Sequence, residues 1–202
     1  MKRVALLGMP NTGKSTFFNR LTGASARVGN WPGITVELMS AKVLLGGAMV
    51  EIIDLPGVYD IHGFSDDELV VRHFLENNPV DLVLIILNTT QIERQLSLAL
   101  QLKQLGLPAM LLLNMSDEAK KFGVTVDIEK MSQALAMPVE LLSAKYGNGY
   151  EHAYQAISTA IQSSQPADTQ EIRNKLKLEN QIEAKMESVL RHAVQVPTQM
   201  TD

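Results

Sequence analysis

Apolar and polar positions change their period several times along the chain. Continuous apolar runs over residues 2–7, 81–87, 108–113 and 138–142 predict buried strands. Two further β-rich runs, 35–45 and 49–53, meet at Gly46-Gly47, which predicts a hairpin. Residues 24–33 hold three turn-forming residues without periodicity and predict a loop.

Helical periodicity separates these strands. Predicted helices cover residues 14–21, 66–77, 91–105, 128–136 and 149–162; Ser65 opens the second with a capping box and Asp127 caps the fourth. Strands that alternate with helices predict an α/β fold with a mostly parallel sheet and helices on both faces. The hairpin adds one antiparallel edge strand.

The last part of the chain differs from the rest. A small polar linker, 163–167, precedes a predicted helix that begins at Asp168 or Thr169 and runs to about Val194. We therefore divide the chain into a domain over residues 1–163 and a short helical appendage over 164–202. A segment of about 35 residues is too small to fold alone, so we expect it to pack on the first domain or on another chain.

Composition excludes several classes of function. The 202 residues include no cysteine, which rules out a disulfide scaffold, a thiolate zinc site and a cysteine nucleophile. The net charge of -4 does not favour nucleic acid as a partner. No apolar run approaches the roughly 20 residues of a membrane span. We therefore expect this chain alone to be soluble.

A glycine-rich motif follows the first predicted strand. Residues 8–15 read Gly-Met-Pro-Asn-Thr-Gly-Lys-Ser, which fits the phosphate-loop pattern G-x-x-x-x-G-K-[ST] between a strand and a helix. The backbone N–H groups of such a loop bind phosphate, Lys14 would reach the β- and γ-phosphates, and Ser15 would bind Mg²⁺. The alternative is a glycine-rich turn with a surface lysine. The candidate nucleotide-binding residues here are Gly8, Asn11, Thr12, Gly13, Lys14, Ser15 and Thr16.

Two later motifs are candidates for reading a base. Asn114-Met115-Ser116-Asp117 ends the strand 108–113, and ligands of open α/β sheets bind at the carboxyl ends of strands. The Asp117 carboxylate would accept hydrogen bonds from N1–H and the N2 amino group of guanine, whereas adenine would present an acceptor. Ser143-Ala144-Lys145 follows the strand 138–142, where a backbone N–H would donate to guanine O6. An ordinary turn after a strand is the alternative for both.

Two further positions are candidates for metal and phosphate contacts. Asp54-Leu55-Pro56-Gly57 follows the strand 49–53, so Asp54 would hold Mg²⁺ and the Gly57 N–H would meet the γ-phosphate. Thr35 ends the loop 24–33 and would complete the Mg²⁺ shell. The alternatives are a strand-ending turn and a threonine in a β-strand.

In this order the motifs resemble a Ras-like G domain, a P-loop GTPase fold, over residues 1 to about 163. The stretches that begin at Gly8, Val28, Asp54 and Asn114 resemble the N-terminal cytosolic G domain of FeoB, the bacterial ferrous iron transporter family. Its most specific part is Asn30-Trp31-Pro32-Gly33-Ile34-Thr35-Val36-Glu37, and Met115 agrees as well.

The resemblance implies several properties of the whole protein. The chain would bind GTP and GDP with Mg²⁺ and hydrolyse GTP slowly, so as to regulate or drive Fe²⁺ uptake. A membrane permease domain would continue the same polypeptide, at the cytoplasmic face of the bacterial inner membrane. Residues 24–35 would be switch I and residues 58–65 switch II. The family's usual helical domain, which slows GDP release, would be represented only by the short appendage. Self-association is a further expectation.

Hydrolysis needs an unusual source of positive charge. Many GTPases place a water-orienting glutamine directly after D-x-x-G, but this chain has Val58 there. The resemblance implies that Asn11 and switch I carbonyls bind K⁺, which would neutralise developing charge; a local cap of the loop is the alternative for Asn11. The candidate catalytic residues are Asn11, Lys14, Thr35 and Gly57.

Two other functions stay open at this point. A free-standing K⁺-activated GTPase in ribosome or tRNA maturation would need an RNA-binding module, and the tail 168–202 has mixed charge and no stacking aromatic residues. A guanine-nucleotide scaffold with negligible turnover is the third hypothesis; Val58 favours it, and the intact set of Lys14, Ser15, Thr35 and Asp54 argues against it.

Overall fold

A computed structural model describes residues 1–177 and 182–197. Its strands, numbered in chain order, are β1 Lys2–Gly8, β2 Arg27–Gly29, β3 Leu38–Leu45, β4 Ala48–Asp54, β5 Leu82–Asn88, β6 Ala109–Asn114, β7 Thr125–Val126, β8 Val139–Leu141 and β9 Val194–Gln195. Its helices are α1 Lys14–Thr22, α2 Asp66–Asn77, α3 Ile92–Gln104, α4 Ser116–Lys121, α5 Ile128–Leu135, α6 Tyr150–Ser163, α7 Thr169–Leu176 and α8 Ile182–Ala193.

Seven strands form the main sheet in the order β2-β3-β4-β1-β5-β6-β8. The strands β4, β1, β5, β6 and β8 run parallel, whereas β3 is antiparallel to both of its neighbours. The mostly parallel P-loop GTPase fold is therefore confirmed. The two strands β7 and β9 form a small separate sheet.

The edge of the sheet differs from the prediction in two places. Residues 24–33, predicted as a loop, contain a 3₁₀ turn and the short strand β2. The strand expected from Thr35 begins only at Leu38. Val28 and Met39 pair across β2 and β3, yet both side chains are exposed, so no burial pattern marks this pairing in the sequence.

Helices cover both faces of the sheet, as predicted. Phe17 and Phe18 of α1 share a buried cluster with Ile157 of α6 on one face. On the other face α2, α3 and α5 pack on the sheet, with Phe74 and Leu96 fully buried. The capping box at Ser65 and the cap at Asp127 are both present.

The appendage packs on this second face rather than standing apart. Ile172 and Val189 are buried in the same cluster as Phe74, where α7 contacts α2 and α8 contacts α3 and α5. The single helix predicted to about Val194 is wrong, because α7 ends at Leu176 and Val194 lies in β9. The part of that prediction over residues 178–181 lies outside the described residues.

Parallel topology brings the predicted motifs to one edge. The loop 8–15 follows β1, Asp54 ends β4, Asn114 ends β6, and residues 143–145 follow β8. All four therefore lie at the carboxyl ends of parallel strands. None of the helices in the described part of the chain is long and apolar enough to cross a membrane.

Candidate nucleotide site

The phosphate loop, residues 8–15, is shaped by contacts that only certain residues allow. A side chain at Gly8 would overlap the carbonyl of Ile86 in β5, and one at Gly13 would overlap the Asn114 amide. Gly13 has φ 79° and Asn11 has φ 63°, both in the left-handed region that favours glycine and asparagine. Thr12 is fully buried and its hydroxyl donates to the Met9 carbonyl at 3.0 Å. Contacts within the protein therefore fix the shape of this loop.

The helix that follows the loop presents an N-terminus suited to an anion. Gly13 caps α1 without a side-chain hydrogen bond, and no acidic residue lies in the first turn. Lys14 Nζ forms an ion pair with Asp54 Oδ1 at the end of β4, and both side chains are largely buried. Ser15, the next residue of α1, is exposed. Lysine and carboxylate thus meet at the carboxyl edge of the sheet, one residue from Ser15 in the sequence.

Residues 54–58 are held against β1 and the phosphate loop. The Leu55 N–H donates to the Leu6 carbonyl at 3.0 Å, and the Val58 N–H donates to the Gly8 carbonyl at 2.9 Å. A Cβ at Gly57 would lie 3.1 Å from the Pro10 nitrogen, so a larger residue would press on the loop. The Val58 side chain is buried in the core. It is directed away from solvent and cannot orient a water molecule.

Asn114 joins two loops from the end of β6. Its buried side chain donates from Nδ2 to the Thr12 carbonyl at 2.9 Å, and Oδ1 accepts from the Ala144 N–H at 2.8 Å. Thr89 Oγ1 donates to the Asn114 carbonyl at 2.6 Å. Both Nδ2 and Oδ1 of the Asn114 side chain are therefore hydrogen-bonded to other parts of the protein. The structure shows that Asn114 links the phosphate loop to the loop after β8, and its contact with a base stays a prediction.

The other members of that motif are more accessible. Met115 has φ 60°, at the N-cap of α4. Asp117 lies in the first turn of α4 and is half-buried. Its carboxylate makes no hydrogen bond or ion pair within the described part of the chain. Within residues 1–177 and 182–197, Asp117 thus offers an unpaired acceptor three residues after Asn114.

The loop after β8, residues 143–149, is named the base loop below. Ser143 N–H donates to the Asn148 carbonyl and Gly147 N–H to the Ser143 carbonyl, each at 2.7 Å. Ala144 is buried and its N–H is taken by Asn114. Across residues 1–177 and 182–197 the Lys145 N–H finds no acceptor, as is also the case for Asn148 and Gly149, so it is a donor that this loop can offer to a ligand.

Sequence reasoning missed one residue that contacts the base loop. Arg20, in the last turn of α1, donates from Nε to the Ala144 carbonyl at 2.8 Å and from Nη2 to the Lys145 carbonyl at 3.4 Å. Its guanidinium also lies 5.3 Å from the ring centre of Tyr150, the first residue of α6. Burial raises the pKa of Tyr150, Tyr154 raises it further, and Arg20 acts in the opposite direction. No local pattern marks a contact that spans 124 residues.

Switch I is arranged differently from the rest of the site. Thr35 is exposed on a bend before β3 and its hydroxyl makes no hydrogen bond within the described residues. Trp31 instead packs edge-on against Phe74 of α2, with ring centres 5.4 Å apart, and Arg3 lies 5.2 Å from its ring. Asn78 Nδ2 donates to the Pro32 carbonyl at 3.1 Å. The predicted Mg²⁺ ligands are therefore divided between two places. Ser15 and Asp54 lie at the phosphate loop, whereas Thr35 belongs to switch I, which packs against α2.

Asn11 differs from its neighbours in the phosphate loop. It is exposed, and its side-chain amide makes no hydrogen bond within the part of the chain that the structure describes. Its carbonyl oxygen is therefore available to a cation, which fits the predicted potassium ligand. No group of three His, Asp or Glu side chains in the described ranges is arranged to hold a metal ion.

Comparison with known proteins agrees with this geometry. The family model described as ferrous iron transport protein B matches residues 2–157. The Fe(2+) transporter FeoB of Synechocystis sp. is 48% identical over 198 residues, which is 98% of this chain and 32% of that protein. FeoB of Campylobacter jejuni is 40% identical over 161 residues, 80% of this chain and 26% of that protein. The chain thus spans about a third or less of these relatives.

Solved structures extend the comparison to the fold. The cytosolic domain of Thermotoga maritima FeoB in a GDP form is 26% identical with a TM-score of 0.81, covering 96% of this chain and 100% of that one. The cytosolic domain of Legionella pneumophila FeoB is 37% identical with a TM-score of 0.74, over 83% of this chain and 66% of that one. The family model and the curated relatives lead to one conclusion: this chain belongs to the ferrous iron transport protein B (FeoB) family.

Proposed function

We propose that the chain binds guanine nucleotides at the carboxyl edge of its sheet and hydrolyses GTP slowly. The observation that carries this proposal is the Asn114 side chain, which joins the Thr12 carbonyl of the phosphate loop to the Ala144 N–H of the base loop. A phosphate-binding loop and a base-binding loop that share one buried amide form a single site for a nucleotide. The solved cytosolic domain of T. maritima FeoB in a GDP form supports the same ligand.

Asp117 would select guanine at this site. Its carboxylate has no partner within the described chain, and two donors on guanine, N1–H and the N2 amino group, would satisfy it. The Lys145 N–H would donate to O6 from the other side. A site built on such paired polar groups discriminates by about 10⁴ against a base that lacks them. Adenine would leave the carboxylate opposite an acceptor.

Mg²⁺ would be held by oxygen ligands that suit a hard cation. Ser15 and Asp54 lie beside Lys14, and Thr35 would join them after switch I leaves its contact with α2. Bound there, Mg²⁺ would neutralise charge on the β- and γ-phosphates. The Lys14–Asp54 ion pair would open on binding, because Lys14 then turns to phosphate and Asp54 to the metal.

The chain's own residues supply few other catalytic groups. Lys14 would bind the phosphate oxygens, and the Gly57 N–H would donate to the γ-phosphate. Val58 is buried and orients no water, so intrinsic hydrolysis is slow. K⁺ held by the Asn11 carbonyl and switch I would supply positive charge where an arginine finger acts in other GTPases.

In the whole protein this domain would regulate or drive ferrous iron uptake. The curated relatives are named Fe(2+) transporters, and the chain covers about a third of the Synechocystis protein. The remaining two thirds would be the membrane permease domain of the same polypeptide, with this domain at the cytoplasmic face of the inner membrane. The free-standing ribosomal or tRNA GTPase is not favoured, because the family model and the curated relatives are FeoB proteins.

Hydrolysis in two salts tests the proposal. GTP turnover is measured with Mg²⁺ in KCl and in NaCl at equal ionic strength, for the wild type and Asn11→Ala. The proposal predicts turnover that K⁺ stimulates at least about tenfold in the wild type and not in Asn11→Ala, with GDP affinity nearly unchanged. Asn19→Ala, an exposed asparagine of α1, is the matched control and keeps the stimulation. Equal rates in both salts contradict the potassium site, and absence of GTP and GDP binding contradicts the whole proposal.

A further inference from the structure

We infer that Arg20 positions the peptide that reads guanine O6 and thereby slows nucleotide release. The inference rests on the proposed guanine site and concerns a residue that never touches the base. Arg20 lies on α1, the helix that begins at the phosphate loop, and its guanidinium reaches the base loop. One short helix would therefore contact the phosphates of a bound nucleotide at its start, and it contacts the base loop near its end.

The hydrogen bond from Arg20 fixes the direction of one peptide group. Its Nε donates to the Ala144 carbonyl at 2.8 Å. In a trans peptide the carbonyl and the following N–H point in opposite directions. The Lys145 N–H must therefore point away from Arg20. This N–H has no acceptor in the described part of the chain.

The neighbouring peptide is fixed from the other side. The Ala144 N–H donates to Asn114 Oδ1 at 2.8 Å, so Ala144 is held through both its N–H and its carbonyl. Asn114 sets the position of Ala144, and Arg20 sets the rotation of the next peptide. A charged donor also polarises the carbonyl, which makes the N–H of the same peptide a better donor.

The other contacts of Arg20 indicate that its main role is to bind the base loop. It makes no ion pair with a carboxylate in the described ranges of the chain. Its second hydrogen bond, from Nη2 to the Lys145 carbonyl, also ends on the base loop. The Tyr150 ring beneath it begins the helix that the base loop leads into, so the guanidinium contacts the loop at both ends. A guanidinium in a planar fork holds such a geometry better than a lysine ammonium.

The experiment compares release and base selectivity in Arg20→Ala, Arg20→Lys and a charge-matched control, Arg94→Ala. Arg94 is an exposed residue of α3 whose side chain has no hydrogen bond or ion pair to the described chain. We expect Arg20→Ala to release fluorescent GDP about tenfold faster than wild type, because a hydrogen bond to a charged group is lost. Association should change less than twofold. Arg20→Lys should fall between the two, and Arg94→Ala should match wild type.

Binding of a second nucleotide distinguishes two roles of Arg20, positioning of the Lys145 N–H and general structural support of the base loop. In 6-thio-GDP the O6 acceptor is replaced by sulfur, a weaker acceptor. If Arg20 acts through the Lys145 N–H, the preference for GDP over 6-thio-GDP narrows at least about threefold in Arg20→Ala. Faster release with an unchanged preference would reduce Arg20 to structural support, and wild-type release in both variants would overturn the inference. Thermal melting of each variant checks folding, and Arg20→Lys decides if the alanine variant is unfolded. Wild type that does not prefer GDP over ADP would instead refute the guanine site itself.

Discussion

The base loop and switch I both reach the carboxyl edge of the sheet, but they are held in different ways. The base loop is fixed by a buried hydrogen bond from the Ala144 N–H to Asn114 Oδ1 and by hydrogen bonds from Arg20. Switch I packs by its Trp31 side chain on Phe74, while Thr35 is exposed. For the proposed nucleotide site, the first arrangement would leave the base loop assembled before a ligand arrives. The second would require a rearrangement before Thr35 could reach a metal.

This difference matches what each half must do. Guanine is the same in GTP and GDP, so its site gains from being rigid. The γ-phosphate is what distinguishes the two nucleotides, so the segment that senses it must have two arrangements. We expect changes in the base half to alter affinity strongly and changes in the switch half to alter the balance between two states.

The largest effect is expected at Asn114. Asn114→Ala removes two hydrogen bonds and leaves the Thr12 carbonyl and the Ala144 N–H unpaired in the interior. The free energy of unfolding should fall by about 2–4 kcal/mol and GDP affinity by at least about 100-fold. Urea unfolding and GDP titration measure the two quantities. Asn19→Ala is the control, and equal behaviour of the two variants would show that the loops are not coupled through this amide.

A change of specificity is expected at Asp117. Asp117→Asn replaces an acceptor by a group with one donor and one acceptor, which pairs with xanthine. The preference should move from GDP toward xanthosine diphosphate by about 100-fold or more, with the free energy of unfolding nearly unchanged. Competition binding with both nucleotides measures the ratio. The exposed Asp67 on α2 provides the control, Asp67→Asn, and an unchanged ratio in Asp117→Asn would remove the base-reading role.

A smaller effect is expected at Arg3, which contacts Trp31 of switch I. Arg3→Gln removes the cation beside Trp31, a contact of about 0.5–1 kcal/mol. Weaker packing of Trp31 in its present position should raise the affinity of the chain for a non-hydrolysable GTP analogue with Mg²⁺ about two- to fivefold. The affinity for GDP should be unchanged. The control Arg94→Gln, at an exposed position of α3 outside switch I, should change neither value.

Trp31 also reports the rearrangement directly, because it is the only tryptophan of the chain. Its emission should shift to longer wavelength when the GTP analogue draws switch I away from Phe74. An emission maximum that is the same with the analogue and with GDP would place Trp31 in one position in both states.

The smallest effect is a dependence of stability on alkaline pH. Burial raises the pKa of Tyr150 above its ordinary value of 10.0, so the folded chain holds the phenol proton more tightly than the unfolded chain. Stability from this group is complete below pH 10 and is lost as pH rises through the raised pKa. Tyr150→Phe should flatten the fall in unfolding free energy above pH 10. An identical pH profile in both proteins would refute the assignment.

Local chemistry explains which features the sequence predicts. The phosphate loop needs glycine where a Cβ atom would collide with its neighbours or where φ is positive. The motif that contains Gly8 and Gly13 can therefore be recognised from the sequence. The cap at Ser65 needs a hydroxyl at one position and Glu68 three residues later. Buried parallel strands such as β5 are continuous apolar runs. In each case the signal lies within a few residues of the structure it specifies.

The rest depends on contacts between distant residues. Strand β2 has two exposed residues and pairs with β3 without burying an apolar face. Arg20 looks like any basic residue at the end of a helix, and only the fold brings it to Ala144. The position of its motif at a strand end predicts that Asn114 lies at the nucleotide site, but it does not predict the partners of the side chain. Its engagement by Thr12 and Ala144 follows from how three loops meet.

Amide hydrogen exchange tests the contrast between the two halves most directly. Protection is measured for the base loop and for residues 30–37, in nucleotide-free protein, with GDP, and with a non-hydrolysable GTP analogue and Mg²⁺. We predict that the Ala144 and Gly147 amides are protected without nucleotide, and that residues 30–37 change their protection only with the analogue. A base loop that exchanges freely until GDP binds, or a switch I that responds equally to both nucleotides, would contradict this account.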